Sequence, residues 1–232
     1  MKRFYRQAEA TAAGAGWGVA LDGNPTLPPF PRPFAVPTRA LAEAIAAEWN
    51  AQGEVVDPHS MLLNGLANSA IDVIAPDRPY FVNEYAAYGG TDLLCYRAAQ
   101  PAELVARQAR AWDPLLDWAR RRFDIKFEVV TGIVHRPQPA ATIERLTREV
   151  AALDPFRLAA LAPLVKLGGS LVAALALTEG AFEEDEVWAA VNLDEEWQMQ
   201  QWGEMPEAIA ALGERRRNFA AAIRMWRLLD QA

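Results

Sequence analysis

At 232 residues the chain is long enough for one large domain or two small ones with a real core. Its 52% hydrophobic and 23% charged residues exclude a disordered chain, and a net charge of -7 with a pI near 5.0 argues against a nucleic-acid partner, which needs surplus Lys and Arg. A single cysteine, Cys95, excludes an internal disulfide, and with only His59 and His135 beside it no Cys/His zinc site can be assembled.

The opening MKRFYRQAEA has neither the apolar run of a signal peptide nor the pattern of a transit peptide, so a cytoplasmic location is expected. Arg3 to Gln7 alternates as a strand does. GWGVALDGNPTL, from Gly16, reads as a second strand entering a turn at Asp22-Gly23, a strong hairpin signal. Five prolines between Pro25 and Pro33 predict an extended loop before Phe34 to Val36. Helices follow. Thr38 is a candidate N-cap, with Leu41, Ile45, Glu48 and Trp49 at helical spacing, and Asp57-Pro58 opens a further helix.

Leu93 to Tyr96 and Phe127 to Val134 read as strands, the latter rich in β-branched residues. Asp113-Pro114 and Asp154-Pro155 repeat the Asp-Pro start, which predicts a helix restart or a kink within 102–123. The basic run Arg120, Arg121, Arg122 and Lys126 reads as a solvated helix end. The apolar stretch Leu158 to Thr178 is broken by Pro163, Lys166 and Gly168-Gly169, so it predicts a buried helix and no membrane span. Beyond residue 140 only helical patterns occur, interrupted at Gly168-Gly169, Gly180 and Gly203. The expected fold class is α+β: residues 1–140 hold a small, mainly antiparallel sheet plus helices, and 141–232 form an all-helical domain.

Candidate chemistry is sparse. His59 and His135 are far apart in sequence and read as structural or surface residues. Cys95 sits among Leu93, Leu94 and Tyr96 and reads as a packed, inert thiol. Gly89-Gly90-Thr91-Asp92 is glycine-rich, but neither GxxxxGK[ST] nor GxGxxG occurs, so no nucleotide or other cofactor is expected.

The remaining signal is LDEEWQMQQWGEM, residues 193–205. On one helix from Glu186 to Trp202, the side chains of Trp188, Val191, Glu195, Met199 and Trp202 share a side, while Leu193 and Trp197 lie elsewhere. Glu196 lies about 100° round the helix from Glu195, off that side, and reads as a solvated charge. Glu195, inside an aromatic stripe, has three readings: an acid paired with an arginine of the fold, a docking residue, or a catalytic acid. Eight tryptophans in the chain favour carrying the docking reading, since tryptophan is enriched at interfaces.

Several blocks carry a resemblance along nearly the whole chain: RFY at 3–5, WGVALDG at 17–23, VPTRALAEAIAAEW at 36–49, LANSAID at 66–72, YGGTDLLCYRA at 88–98, WDPLLDWA at 112–119 and LDEEWQMQQWGE at 193–204. In this order they are similar to the F1-ATPase (ATP synthase) assembly chaperones specific for the α subunit. The resemblance implies a non-enzymatic chaperone that binds the free α subunit, shields the surface α later gives to β, and leaves as the hexamer forms. It maps partner binding onto Glu195, Trp197, Gln198, Trp202 and Gly203, and Trp188 joins them by its place on the same helical side. A chaperone of this kind needs no metal or cofactor; with no nucleic-acid or membrane partner expected from charge and hydropathy, the chain is expected to be a free monomer in the cytoplasm, the location that corresponds to the mitochondrial matrix of eukaryotic relatives. The alternative from another class is a small hydrolase or transferase using Glu195 or Cys95.

Overall fold

Regular structure begins at Ala8, in a stretch where the sequence shows no strand signal, which pairs with the strand expected from Gly16. A computed structural model describes residues 1–26, 33–203 and 206–231, so Pro28, Pro29 and Pro31 of the expected loop lie outside the described residues. Strands β1 (Ala8–Ala13), β2 (Gly16–Leu21) and β3 (Asn24–Pro25) form an antiparallel sheet in that order, with Ala8 opposite Leu21 and Ala13 opposite Gly16. The Asp22-Gly23 turn between β2 and β3 forms as expected. Both residues have positive φ (48° and 80°), the conformation that matches strand twist in a two-residue hairpin.

Arg3 to Gln7, expected as a strand, is not one. The Asp22 carboxylate accepts from the Arg6 and Gln7 amides, and the Arg3 guanidinium donates to the Gln52 carbonyl at 2.6 Å. Only Lys2 makes a strand-like bridge, to Val55. Side-chain hydrogen bonds, with single backbone bonds from the Arg3 amide to Glu54 and from the Asp22 amide to Gln7, thus stand in for the ladder that alternation implied.

The chain forms two compact units, each assembled from separated stretches. One comprises Met1–Arg78, Leu153–Ala160 and Ala221–Ala232, and the other Pro79–Ala152 and Leu161–Ala220. In the first, helix α1 (Arg39–Asn50) packs across β1 and β2 and buries Leu41 and Ile45 completely, worth about 1.5–3 kcal/mol each. Thr38 caps it as expected, accepting from the Leu41 amide. Asn50 joins α1 to the sheet through two 2.7 Å bonds with Ala8. Glu48, read as one of the helically spaced positions, has a different task. Its carboxylate accepts from the amides of Leu63 and Asn64 at 2.8 and 2.9 Å, capping α2 (Leu62–Asn68). A turn of π-helix, Ser69–Ile74, continues α2.

The second unit carries α3 (Arg78–Ala86) from its second residue, β4 (Tyr96–Arg97), α4 (Ala102–Phe123), β5 (Val130–Thr131) and α5 (Ala140–Ala151). Helix α6 (Pro155–Gly168) supplies its later residues, followed by α7 (Leu171–Thr178), α8 (Glu184–Val191), α9 (Leu193–Trp202) and the first half of α10 (Pro206–Leu229). Trp112, Leu115, Leu116, Leu146, Val165 and Phe219 fill its core with α7, whose first seven residues, Leu171–Leu177, are all buried.

Here several sequence expectations change. Leu93–Cys95 is a 3-10 turn, because the Asp92 carboxylate caps the Leu94 amide, and only Tyr96–Arg97 is extended. Of Phe127 to Val134, just Val130–Thr131 pairs, in parallel with β4. The rest is held by side chains: the Gln138 amide bonds both backbone groups of Glu128, and Thr142 does so for Lys126. Helix α4 runs unbroken through Pro114, and Asp113 forms an ion pair with Arg97 at 2.8 Å instead of opening a helix. Asp154, by contrast, caps α6 by accepting from the Phe156 and Arg157 amides. The basic run is surface-exposed in part and paired, Arg120 with Asp117 and Arg122 with Glu179. The fold class is α+β, with a small antiparallel three-stranded sheet at the N-terminus and mostly helices elsewhere. Among the described residues no helix is long and apolar enough to cross a membrane.

Candidate functional site

The acidic, tryptophan-bearing segment is two helices, not one. Asn192 breaks it, with φ -104° and ψ 6°, and is 1% exposed. Its side-chain amide donates to the Trp188 carbonyl at 2.8 Å and its oxygen accepts from Arg215 at 2.8 Å. A polar side chain that bonds its own helix and a neighbouring one sets the angle between α8 and α9 better than a continuous ladder would. Sequence periodicity could not reveal this, because Asn192 breaks no apolar pattern.

One side of the pair faces α10. Arg215 donates to Glu195 at 2.5 Å while its other terminal nitrogen holds Asn192. Trp188 packs edge-on against Phe219, with ring centroids 5.2 Å apart, and carries the Arg216 guanidinium over its face at 5.2 Å. Arg216 in turn pairs with Glu184 at 3.3 Å and with Asp185. Glu195 and Trp188 therefore do share a side as expected, each answered by an arginine of α10. The expectation that Glu195 must find a partner is met by Arg215.

The other side faces α4. Arg107 lies over the Trp197 ring at 4.7 Å, donates to Gln200 at 2.9 Å and pairs with Glu103 at 2.7 Å. Gln108, 2% exposed, donates to Asp194 at 2.7 Å. Trp112 donates its indole N–H to the Ala190 carbonyl at 2.7 Å. Between these anchors α4, α8 and α9 enclose an open cavity of about 420 Å³, lined by Arg107, Arg110, Ala111, Glu186, Ala189, Ala190, Leu193, Glu196, Trp197 and Gln200. Glu196 is thus not the solvated charge that helical phase implied. It is half-buried in the cavity wall, and burial first, then the Glu195 charge, raise its carboxyl above the usual range.

Beyond these contacts α9 ends in solvent. Trp202 is 81% exposed, Gln198 is exposed, and Gly203 stops the helix with φ 91°. The six expected binding residues fall into three groups. Glu195 and Trp188 lie against α10, Trp197 lies in the cavity facing α4, and Gln198, Trp202 and Gly203 lie on the outer surface. The cavity residues Arg107 and Arg110 had no sequence signal, since their helix precedes the segment by some 90 positions.

The other candidates have structural places. Cys95 is fully buried, and burial and the neighbouring Asp92 push its thiol up to about 12. His59 is exposed on a turn, and exposed His135 has its Nδ1 2.8 Å from the Tyr96 hydroxyl. Asp92, passed over as part of a glycine turn, is fully buried; its second oxygen accepts from the Val172 amide at the start of α7. Burial pushes its carboxyl up to about 6, opposed by those hydrogen bonds. Among the described residues no three His, Cys, Asp or Glu side chains are grouped to hold a metal ion.

Comparison with known proteins agrees with this architecture. The sequence model of the ATP12 chaperone protein family matches residues 2–120. The mitochondrial Atp12 protein of Schizosaccharomyces pombe is 23% identical over 219 residues, which covers 89% of this chain and 75% of the yeast protein. The crystal structure of Atp12 from Paracoccus denitrificans is 41% identical and covers 98% of both chains with a TM-score of 0.93. A point mutant of the same bacterial protein, 40% identical, also superposes with a TM-score of 0.93 over 98% of this chain and 97% of its own. With half the chain matched by the family model and near-complete superposition at this identity, the chain belongs to the ATP12 chaperone family.

Proposed function

We propose that this protein binds the free α subunit of F1-ATPase and shields its β-facing surface until the hexamer forms. Membership of the ATP12 chaperone family supports the broader activity, an assembly chaperone for ATP synthase. The observation that carries the finer reading is Trp202, held 81% exposed at the end of an acidic helix with Gln198 and Gly203 exposed beside it. A large aromatic kept in water is costly for a fold and useful to a docking surface, where tryptophan supplies a large share of binding energy. The protein acts in the cytoplasm, as a monomer until it meets α.

Co-expression with tagged α subunit tests this. A one-to-one complex should co-purify, and α should stay in solution where it aggregates alone. Trp202→Ala should keep the melting temperature and weaken the complex by about tenfold or more. Absence of any complex with the wild-type chain overturns the reading.

A further inference from the structure

The cavity between α4, α8 and α9 has an unbalanced wall. Arg107 is fully engaged, by Glu103 at 2.7 Å, by Gln200 at 2.9 Å and by the Trp197 ring. The carboxylates of Glu186 and Glu196 have no ion-pair partner among the described residues, and only Arg110 lines the same cavity as a free positive charge. The segment that supplies the two acids, residues 183–203, carries seven acidic side chains and no Lys or Arg. Between them lies an apolar floor of Ala111, Ala189 and Leu193.

We propose that this cavity receives an arginine or lysine side chain from the β-facing surface of the α subunit, with Glu196 and Glu186 as its counter-charges. The inference rests on the reading of α as partner and adds the chemistry of one contact. A long cationic side chain matches the wall on two counts. Its methylene stem covers the alanine and leucine floor, and its charged head meets the carboxylates at the polar rim. Desolvation already raises the Glu196 carboxyl, and an incoming cation relieves both that penalty and the repulsion from Glu195. A carboxylate from the partner would meet two acids against one free arginine, so charge complementarity selects the cation.

The test measures the affinity of the full chain for recombinant α at low and high salt, with thermal unfolding as the control on the fold. Glu186→Gln/Glu196→Gln should weaken binding about tenfold at low salt and flatten its salt dependence. Ala189→Trp, at an exposed position, should fill the cavity and weaken binding by a similar factor. Arg110→Gln should tighten binding severalfold, because it removes the cation that competes with the incoming one; a merely structural arginine would not do this. Tighter binding by the glutamine double variant with weaker binding by Arg110→Gln would mean an acidic occupant and overturn the proposal. Unchanged affinity in all three variants, with wild-type binding intact, removes the cavity from the interface while leaving the α-subunit reading in place. No binding by the wild-type chain removes both.

Discussion

Arg215 holds Glu195 at 2.5 Å with one terminal nitrogen and Asn192 at 2.8 Å with the other. A single guanidinium thereby fixes both the break between α8 and α9 and the carboxylate two turns before Trp202. The pair is half-exposed, with side-chain exposures of 30% for Arg215 and 40% for Glu195, so solvent screens much of its Coulomb energy.

The ion pair should consequently matter more for placement than for stability. Glu195→Gln is expected to cost about 1 kcal/mol or less in chemical denaturation. Glu195→Lys sets a second cation against Arg215, so α9 should lose its anchor and α-subunit binding should fall about tenfold or more. Unfolding and binding measured side by side on both variants check this. Intact binding in a stable Glu195→Lys protein would remove the residue from the site.

Cys95 offers a complementary test on the core. It is fully buried with its thiol pushed up to about 12, so it should resist a thiol reagent until the protein unfolds. Cys95→Ala should cost roughly 1–2 kcal/mol through a small cavity, with α-subunit binding retained. Rapid labelling of the native protein, or loss of binding by a well-folded variant, would contradict the packed reading.

Thr38, Asp154 and the Asp22-Gly23 turn were legible because capping and turn chemistry is local: a short side chain and the amides it serves lie within three residues. The α+β class and the helical second half followed from periodicity on the same grounds. Hairpin β1–β2 was hidden by AEATAA, six residues almost without β-preference, which pair because α1 covers them. At Phe127 to Val134 the opposite happened: strong β-preference, but partners supplied by Gln138 and Thr142 side chains. The candidate segment was found from its composition, while its true geometry was not. Asn192, Arg215 and Arg107 act across 23 to 93 positions, and no periodicity in one helix encodes a partner on another.

The connection after β5 should be the first place a protease enters. Ile133 and Val134 are 97% and 75% exposed, whereas Gln138 is buried and doubly bonded to Glu128. Thermolysin, which cuts before large apolar residues, should cleave at Ile133 or Val134 well before any other site. Trypsin should do poorly here, because Pro137 follows Arg136. Early cleavage elsewhere, with 132–137 intact, would show that this exposed stretch is held more tightly than its contacts indicate.

The last prediction concerns Asp92, which joins the turn at Leu93–Cys95 to the start of α7 through bonds to the Leu94 and Val172 amides at 3.1 and 3.0 Å. Its burial raises the folded carboxyl to about 6, above the ordinary 3.8 of the unfolded chain. A raised folded value means that the native state holds the proton more tightly. The contribution of Asp92 to stability is therefore fully present below about pH 4 and is lost as pH rises through 6. Asp92→Asn cannot titrate, so the difference in unfolding free energy between wild type and variant isolates this group from the other carboxylates. At pH 7 the variant loses one acceptor and gains a misplaced donor, for an expected cost of about 1–3 kcal/mol offset in part by the removed buried charge. At pH 4 the protonated wild type should gain about 2–3 kcal/mol relative to Asp92→Asn compared with pH 7. Denaturant titrations at the two pH values measure both numbers. A difference that stays flat between pH 4 and pH 7 would mean the carboxylate keeps an ordinary affinity for its proton, and the hydrogen bonds from Leu94 and Val172 would then outweigh its burial.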